Sequence, residues 1–291
     1  IGSAFARGER ATVAISFPPP PPRLAWASGF SLPISTGVTS AASLMLGLPD
    51  TIRDCHFDLD GVLTQTAKVH AAAWKSMFDA FLQQRARQTG EPFRAFDVVH
   101  DYDEFVDGRP RYEGVREFLR SRGIELPQGS SGDPPTADTV DGLGNRKNEL
   151  VLQAIRRGGV QAYDGSVRYV RAAREAGLRR VVVSSSTNCR DVLRAAGIDD
   201  LFEAVVDGVV ADREHLRGKP APDTFLAGAS ALGVEPPAAA VFEDALAGVE
   251  AGRAGGFGFV VGVDRTGQAD ALRAHGADVV VADLADLLSG A

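Results

Sequence analysis

Cysteine is nearly absent from this 291-residue chain, and its two copies, Cys55 and Cys189, match neither a zinc spacing nor a disulfide framework. Both read as packing residues of a protein kept in a reducing compartment, so a cytoplasmic location is expected. No apolar run approaches the roughly 18 residues that a membrane span requires. The first residues lack a basic segment followed by an apolar core, so no secretory signal is expected either. Positive charge is in deficit: 31 Lys and Arg against 38 Asp and Glu leave a net charge of -7. That balance argues against a nucleic-acid or acidic-membrane surface. With 44% hydrophobic residues, the chain suits one large domain or a domain carrying an insertion.

Residues 1–45 are rich in Pro, Ser, Gly and Ala, include the run Pro18–Pro22, and read as a disordered extension. From Thr51 the pattern becomes regular. Arg53–Asp58 reads as a strand. Ala67–Gln88 reads as a helix with Val69, Ala73, Trp74, Met77, Phe78, Phe81 and Leu82 on one broad side. Further helices are expected at Tyr112–Ser121, Arg146–Arg157 and Ser166–Ala176, with Leu126–Gly142 as an added loop. Apolar runs at Arg180–Ser184, Ala204–Val206, Ala239–Phe242, Phe257–Val261 and Asp278–Val281 then alternate with helical segments at Asn188–Ala196, Pro222–Leu232, Ala245–Ala254 and Gln268–His275. Such alternation predicts an α/β fold built on a doubly wound parallel sheet. About a hundred mostly helical residues separate the first strand from the rest. The expected division is therefore a core of 46–65 and 162–291 with a helical cap, 66–161, inserted between. His56 stands where a parallel strand normally carries an aliphatic residue, and is expected to be a hydrogen-bonded core histidine.

Ligands of an open parallel sheet bind beyond the carboxyl ends of its strands, and four strand ends here carry polar residues suited to one chemistry. The first strand runs into Asp58-Leu59-Asp60-Gly61, where two carboxylates can share a divalent ion while one attacks and the other carries protons. Ser184-Ser185-Ser186-Thr187-Asn188 offers hydroxyls and amides ahead of a helix, a cradle for phosphate oxygens. Lys219, held between Gly218 and Pro220, offers a fixed positive charge. Glu243-Asp244 can complete an oxygen shell for a hard cation such as Mg²⁺. Singly, each is equally an Asx turn, a helix cap, a solvated lysine or a helix start.

In this order the four motifs resemble the haloacid dehalogenase-like superfamily of phosphotransferases, from about Leu48 to the end of the chain. The resemblance implies that Asp58 attacks phosphorus to form an aspartyl phosphate and that Asp60 is the general acid and base. It also implies Mg²⁺ held by Asp58, the backbone carbonyl of Asp60 and the pair Glu243 and Asp244, with Ser184 and Lys219 on the transferring phosphoryl group. An Asp at the second position suits phosphate esters, whose leaving alkoxide needs a proton.

The insertion narrows the substrate. Thr66, His70 and Trp74 recur every four residues and share one helical face, an arrangement that packing alone also produces. Val106-Asp107-Gly108-Arg109-Pro110-Arg111 adds a loop from which Arg111 can clamp a second phosphate, and Arg146-Lys147-Asn148 adds further polar reach. These residues, with Ser184-Ser185-Ser186-x-Asn188, resemble the β-phosphoglucomutase family within the superfamily. That resemblance implies interconversion of β-D-glucose 1-phosphate and glucose 6-phosphate through glucose 1,6-bisphosphate. It implies substrate contacts from Thr66, His70, Trp74, Gly108, Arg111, Lys147, Ser185, Ser186 and Asn188, and cap closure coupled to substrate through His70 and Lys147. Small sugar phosphates are then the only partners expected, with no nucleic acid, no membrane and a monomeric chain. Gln65, where an acidic residue is usual, and the long Leu126–Gly142 stretch depart from the family pattern. A sugar-phosphate phosphatase and, more distantly, a non-catalytic binding protein are the competing readings.

Overall fold

The structure is a computed structural model that describes residues 45–288, so all but the last residue of the expected extension lies outside the described residues. The first strand, β1 (Asp54–Phe57), is fully buried. After it the chain builds α1 (Ala67–Thr89), α2 (Arg111–Ser121) and α3 (Val140–Gly158), then returns through α4 (Asp164–Glu175). The remainder alternates: β2 (Arg179–Val183), α5 (Cys189–Ala195), β3 (Ala204–Val206), α6 (Gly208–Glu214), α7 (Asp223–Leu232), β4 (Ala239–Glu243), α8 (Leu246–Ala254), β5 (Phe259–Val263), α9 (Ala269–His275) and β6 (Val279–Val281). All strand pairs are parallel and the order is β3-β2-β1-β4-β5-β6. Among the described residues no helix is long and apolar enough to cross a membrane.

Both faces of the sheet are covered, which is why its strands are apolar throughout rather than alternating. Phe57, Val182 and Phe242 share a cluster with Tyr169 and Val170 of α4 and Val192 of α5. Val181, Val183 and Val241, one residue out of phase, pack with Phe225 of α7, Val249 of α8 and Leu272 of α9. The helices after β1 form a third cluster, in which Trp74, Met77, Phe78, Phe81 and Leu82 of α1 meet Val115 and Phe118 of α2 and Leu143 of α3. Of the apolar positions expected to be buried on α1, only Val69 is left half-exposed.

Three departures from expectation have local reasons. α3 starts at Val140, because Thr139 Oγ1 accepts the Gly142 amide at 2.9 Å and caps the helix inside the stretch read as loop. Glycines in its first turns hid that start; Gly144 is there because a Cβ would lie 2.6 Å from the Tyr112 ring. β5 begins two residues late because Phe257 donates its amide to Gly252 at the end of α8. The short helix α6 was not expected; Asp207 caps it by accepting the Val210 amide at 2.9 Å.

His56 is a correction. It is buried in the core, but neither ring nitrogen has a hydrogen-bond partner among the described residues; the ring lies edge-on to Phe257 at 5.1 Å and 6.5 Å from Phe225. Burial pushes its pKa down to about 3. The folded protein therefore holds a neutral ring, whereas the unfolded chain binds a proton below about pH 6.5. Stability from this group is complete above that pH and drains as pH falls toward 3. His56→Leu removes both orphaned nitrogens and should add about 1–2 kcal/mol at pH 7. Thermal melts from pH 7.5 to 5 should also fall less steeply in the variant; equal slopes would count against this account.

Candidate active site

Strand register assembles the centre of the site. Phe57 pairs with Val182 on one side and Phe242 on the other, so Asp58 stands level with Val183 and Glu243. Its amide donates to Phe242 O at 3.0 Å, extending the ladder by one residue. Lys219 is fully buried, and its Nζ donates to Asp58 Oδ1 at 2.6 Å, to Val183 O at 3.1 Å and to Glu243 Oε1. Burial opposes the lysine's charge, but Asp58 and Glu243 outweigh it and hold the pKa above the ordinary value. Asp58 Oδ2 has no hydrogen-bond partner among the described residues, while the residue lines the pocket.

Asp244 reaches the same point from β4. A Cβ on Gly61 would lie 1.7 Å from Asp244 Oδ2, and Gly61 has φ +88, so both its lack of a side chain and its backbone conformation are needed. Asp58, Glu243 and Asp244 each bring a carboxylate oxygen within 4.8 Å of the others. Burial, then charge repulsion, pushes Asp244 well above the usual carboxylate range. Asp58 is pushed the same way by burial, with Lys219 opposing and Glu243 and Asp60 adding.

Asp60 turns away from that cluster. Thr66 Oγ1 donates to its Oδ1, and Thr64 Oγ1 lies 2.7 Å behind Thr66. His70 Nε2 is 3.7 Å from the same oxygen. Lys147 Nζ stands 3.0 Å from His70 Nδ1 and 4.6 Å from the centre of the Trp74 ring. When Lys147 carries its proton it can only donate, so His70 then accepts at Nδ1 and presents Nε2–H to Asp60. Burial and the Lys147 charge pull His70 down to about 4, and burial pulls Lys147 down to about 7 with Asp60 opposing.

The helical insertion lies against the strand ends through several contacts. Ser185 Oγ donates to Gly108 O at 2.7 Å, Arg111 Nη1 to Thr187 Oγ1 at 3.1 Å, and Asn188 Nδ2 to Asn148 Oδ1 at 2.8 Å. Between them is a pocket of about 150 Å³ lined by Asp58, Asp60, His70, Trp74, Arg111, Lys147, Ser184 and Asp244, among others. Arg111 also donates to Tyr112 Oη at 3.0 Å, which leaves its buried Nε without a partner.

The family profile of "haloacid dehalogenase-like hydrolase" matches residues 55–256. The chain belongs to the haloacid dehalogenase-like hydrolases. It is 59% identical over 249 residues to a β-phosphoglucomutase of Mycobacterium tuberculosis, covering 84% of this chain and 95% of that one. A β-phosphoglucomutase of Bacillus subtilis is 33% identical over 232 residues, covering 79% and 89%. Among solved structures, β-phosphoglucomutase from Clostridium difficile superposes with a TM-score of 0.63 at 25% identity, covering 81% of this chain and 93% of that one.

As a haloacid dehalogenase-like hydrolase the chain is expected to hold Mg²⁺, and its residues fit one. The donors are all oxygen, and the carboxylates are crowded at an electrostatic cost that a divalent cation relieves. The substrate contact expected of Thr66 is corrected: the residue is buried behind Asp60, does not line the pocket, and donates its hydroxyl to that carboxylate. Glu243 accepts from Lys219 and from the Ala245 amide at 3.1 Å, so it anchors the lysine as well as flanking the cation site. The Asp60 side chain is committed to Thr66 and lies outside the carboxylate cluster. Sequence reasoning missed Tyr102 and gave no role to Asp107 within its loop; the two frame a π-helical turn (Tyr102–Val106) and line the pocket. Burial raises Asp107 to about 7 while its hydrogen bond with Tyr102 opposes. Only the unusual turn marks them, and no residue pattern announces it.

Proposed function

We propose that the chain is a phosphomutase that interconverts β-D-glucose 1-phosphate and glucose 6-phosphate through glucose 1,6-bisphosphate. The observation that carries this reading is one pocket with a phosphoryl-transfer centre at Asp58 and a second anion-binding group, Arg111 with its free Nε, on the helical insertion. A phosphatase of a sugar monophosphate needs only the first; a mutase must also hold the phosphate that is not reacting.

In this reading Asp58 attacks phosphorus and the sugar oxygen leaves, taking a proton from Asp60. Lys219 fixes Asp58 Oδ1 and leaves Oδ2 for the attack. Glucose 1,6-bisphosphate thus becomes glucose 6-phosphate, which gives way to β-glucose 1-phosphate; Asp60 removes the proton from its 6-hydroxyl as the phosphoryl group returns from Asp58 to that oxygen, and the bisphosphate so formed turns over to bring its other phosphate to Asp58. Asp58, Glu243 and Asp244, with the carbonyl of Asp60, would hold Mg²⁺, which when bound would supply charge neutralisation at the phosphoryl oxygens. Thr66 and His70 hold Asp60 in place, and Lys147 ties His70 to α3, so the acid is set only while the insertion covers the pocket. Excluding water in that way keeps the aspartyl phosphate for the sugar.

The test gives the protein Mg²⁺, β-glucose 1-phosphate and a trace of glucose 1,6-bisphosphate, and follows glucose 6-phosphate and free phosphate together. Glucose 6-phosphate with little phosphate supports the mutase; phosphate without isomerisation means a phosphatase. Arg111→Ala should raise KM for glucose 1-phosphate by roughly 10–100-fold, the worth of a charged hydrogen bond. Arg111→Lys should recover little of it, since an ammonium cannot reproduce the guanidinium fork. An unchanged KM would remove Arg111 from the distal phosphate.

A further inference from the structure

Arg265, in the loop after β5, belongs to none of the motifs above, yet its side chain is only 15% exposed. Nε donates to Gly61 O at 2.9 Å. Nη1 donates to Ala282 O at 2.7 Å and Asp283 Oδ2 at 3.2 Å, and Nη2 reaches Ser166 Oγ at 3.5 Å. The guanidinium carbon lies 3.7 Å from the centre of the Tyr163 ring.

Gly61, Tyr163 and Ser166 lie on the two places where the chain crosses between the sheet and the helical insertion, while Ala282 and Asp283 follow β6. The outgoing crossing follows Asp60 and the returning one leads into α4. They are bonded to each other: Tyr163 N donates to Leu63 O at 2.9 Å, Gln65 N to Gln161 O at 2.8 Å and Ser166 Oγ to Val62 O at 2.6 Å. Arg265 grips both at once. Its own loop is fixed, because Asp264 Oδ1 accepts the amides of Thr266 at 3.1 Å, Gly267 at 2.6 Å and Gln268 at 2.9 Å. From the same loop Gln268 Nε2 donates to Asp244 O at 3.0 Å.

We propose that Arg265 is a positioning residue that anchors both crossings to the turn presenting Asp60, so that the acid stays aligned while the insertion covers the pocket. This rests on the transfer reading given above. The planar guanidinium directs donors at Gly61, Ala282 and Asp283 and lays its face on Tyr163, a combination that a lysine cannot supply. Gly61 O is one residue from Asp60. Displacement of about 1 Å at a reacting group is enough to cost on the order of 10²-fold in rate, and a looser cover admits water to the phosphoenzyme.

The test compares Arg265→Ala and Arg265→Lys with the unaltered full chain in the same primed assay, alongside thermal melts. The readout is the ratio of free phosphate to glucose 6-phosphate. That ratio does not depend on how much of the protein is active, so a purely structural role would leave it alone. The ratio should rise about tenfold or more in Arg265→Ala, within the range seen when groups supporting a site are removed. Arg265→Lys, which keeps the charge opposite Asp283, should show the same direction and serves if the alanine variant does not fold. A ratio equal to that of the unaltered protein in the folded variants would overturn the proposal. If the unaltered protein makes phosphate and no glucose 6-phosphate, the functional reading has failed on its own. Arg265 is then judged by kcat for phosphate release, and a value within twofold of the parent overturns it.

Discussion

Asp58→Asn is expected to give a folded protein whose transfer activity is lower by on the order of 10⁴-fold or more, the scale of removing a covalent nucleophile. The change is nearly isosteric, and Lys219 keeps Glu243 and the Val183 carbonyl as partners. It also removes a negative charge from a buried group that stands against Glu243, Asp60 and Asp244. The folded-state pKa of Asp58 is raised, so its ionisation at neutral pH works against the fold; stability linked to this group is greatest at low pH and lost as pH rises through the raised value. Without added metal the variant should therefore melt at or above the temperature of the unaltered protein. Activity and stability move in opposite directions, which separates the loss of a nucleophile from the loss of a fold. A melting temperature several degrees lower, with activity reduced in proportion to the folded fraction, would remove Asp58 from the chemistry.

Much of this was legible in the sequence because parallel strands announce themselves by short β-branched runs. Ala204–Val206 was located to the residue, and the remaining strand boundaries fell within two residues. Centre and motifs followed from the same logic: a strand running into Asp58-Leu59-Asp60-Gly61 in a parallel sheet presents its carboxylates at the carboxyl edge, and the other strand ends converge there. What could not be read was direction. Nothing in Thr66-x-x-x-His70 says that the threonine turns back onto Asp60 while the histidine faces the pocket. Nothing near Asp207 distinguishes a helix cap from one more acidic loop residue until the Val210 amide is seen on it. His56 failed for a different reason. A buried polar ring usually finds a partner, and here the aromatic neighbours Phe225 and Phe257 exclude one.

Lys219→Met should be the most destabilising single change in the site. Methionine matches the length of the lysine stem and fills the same space beside Phe225, whose ring centre lies 4.9 Å from Nζ. Packing is therefore retained and the charge alone is lost. Asp58 and Glu243 are then left as buried carboxylates with no cation between them, in company with Asp244. Breaking a buried pair by removing one partner costs about 3–5 kcal/mol, because the surviving charge has neither solvent nor counter-ion. The loss should be largest at pH 8 and smaller at pH 5, since burial holds the Asp58 carboxyl above the usual range and its protonation relieves the loss. It should also be partly reversed by Mg²⁺, the cation the same oxygens fit, and chemical denaturation at the two pH values with and without the ion measures both. Activity should fall by roughly 10²–10³-fold, as for removal of one preorganised charge at a reacting centre, and added metal should not restore it. Rescue of stability without rescue of turnover would assign the lysine two separable tasks, holding the carboxylates together and holding Asp58 Oδ1 in line. Full stability in the absence of metal at pH 8 would show that the carboxylates did not need the lysine as their counter-ion.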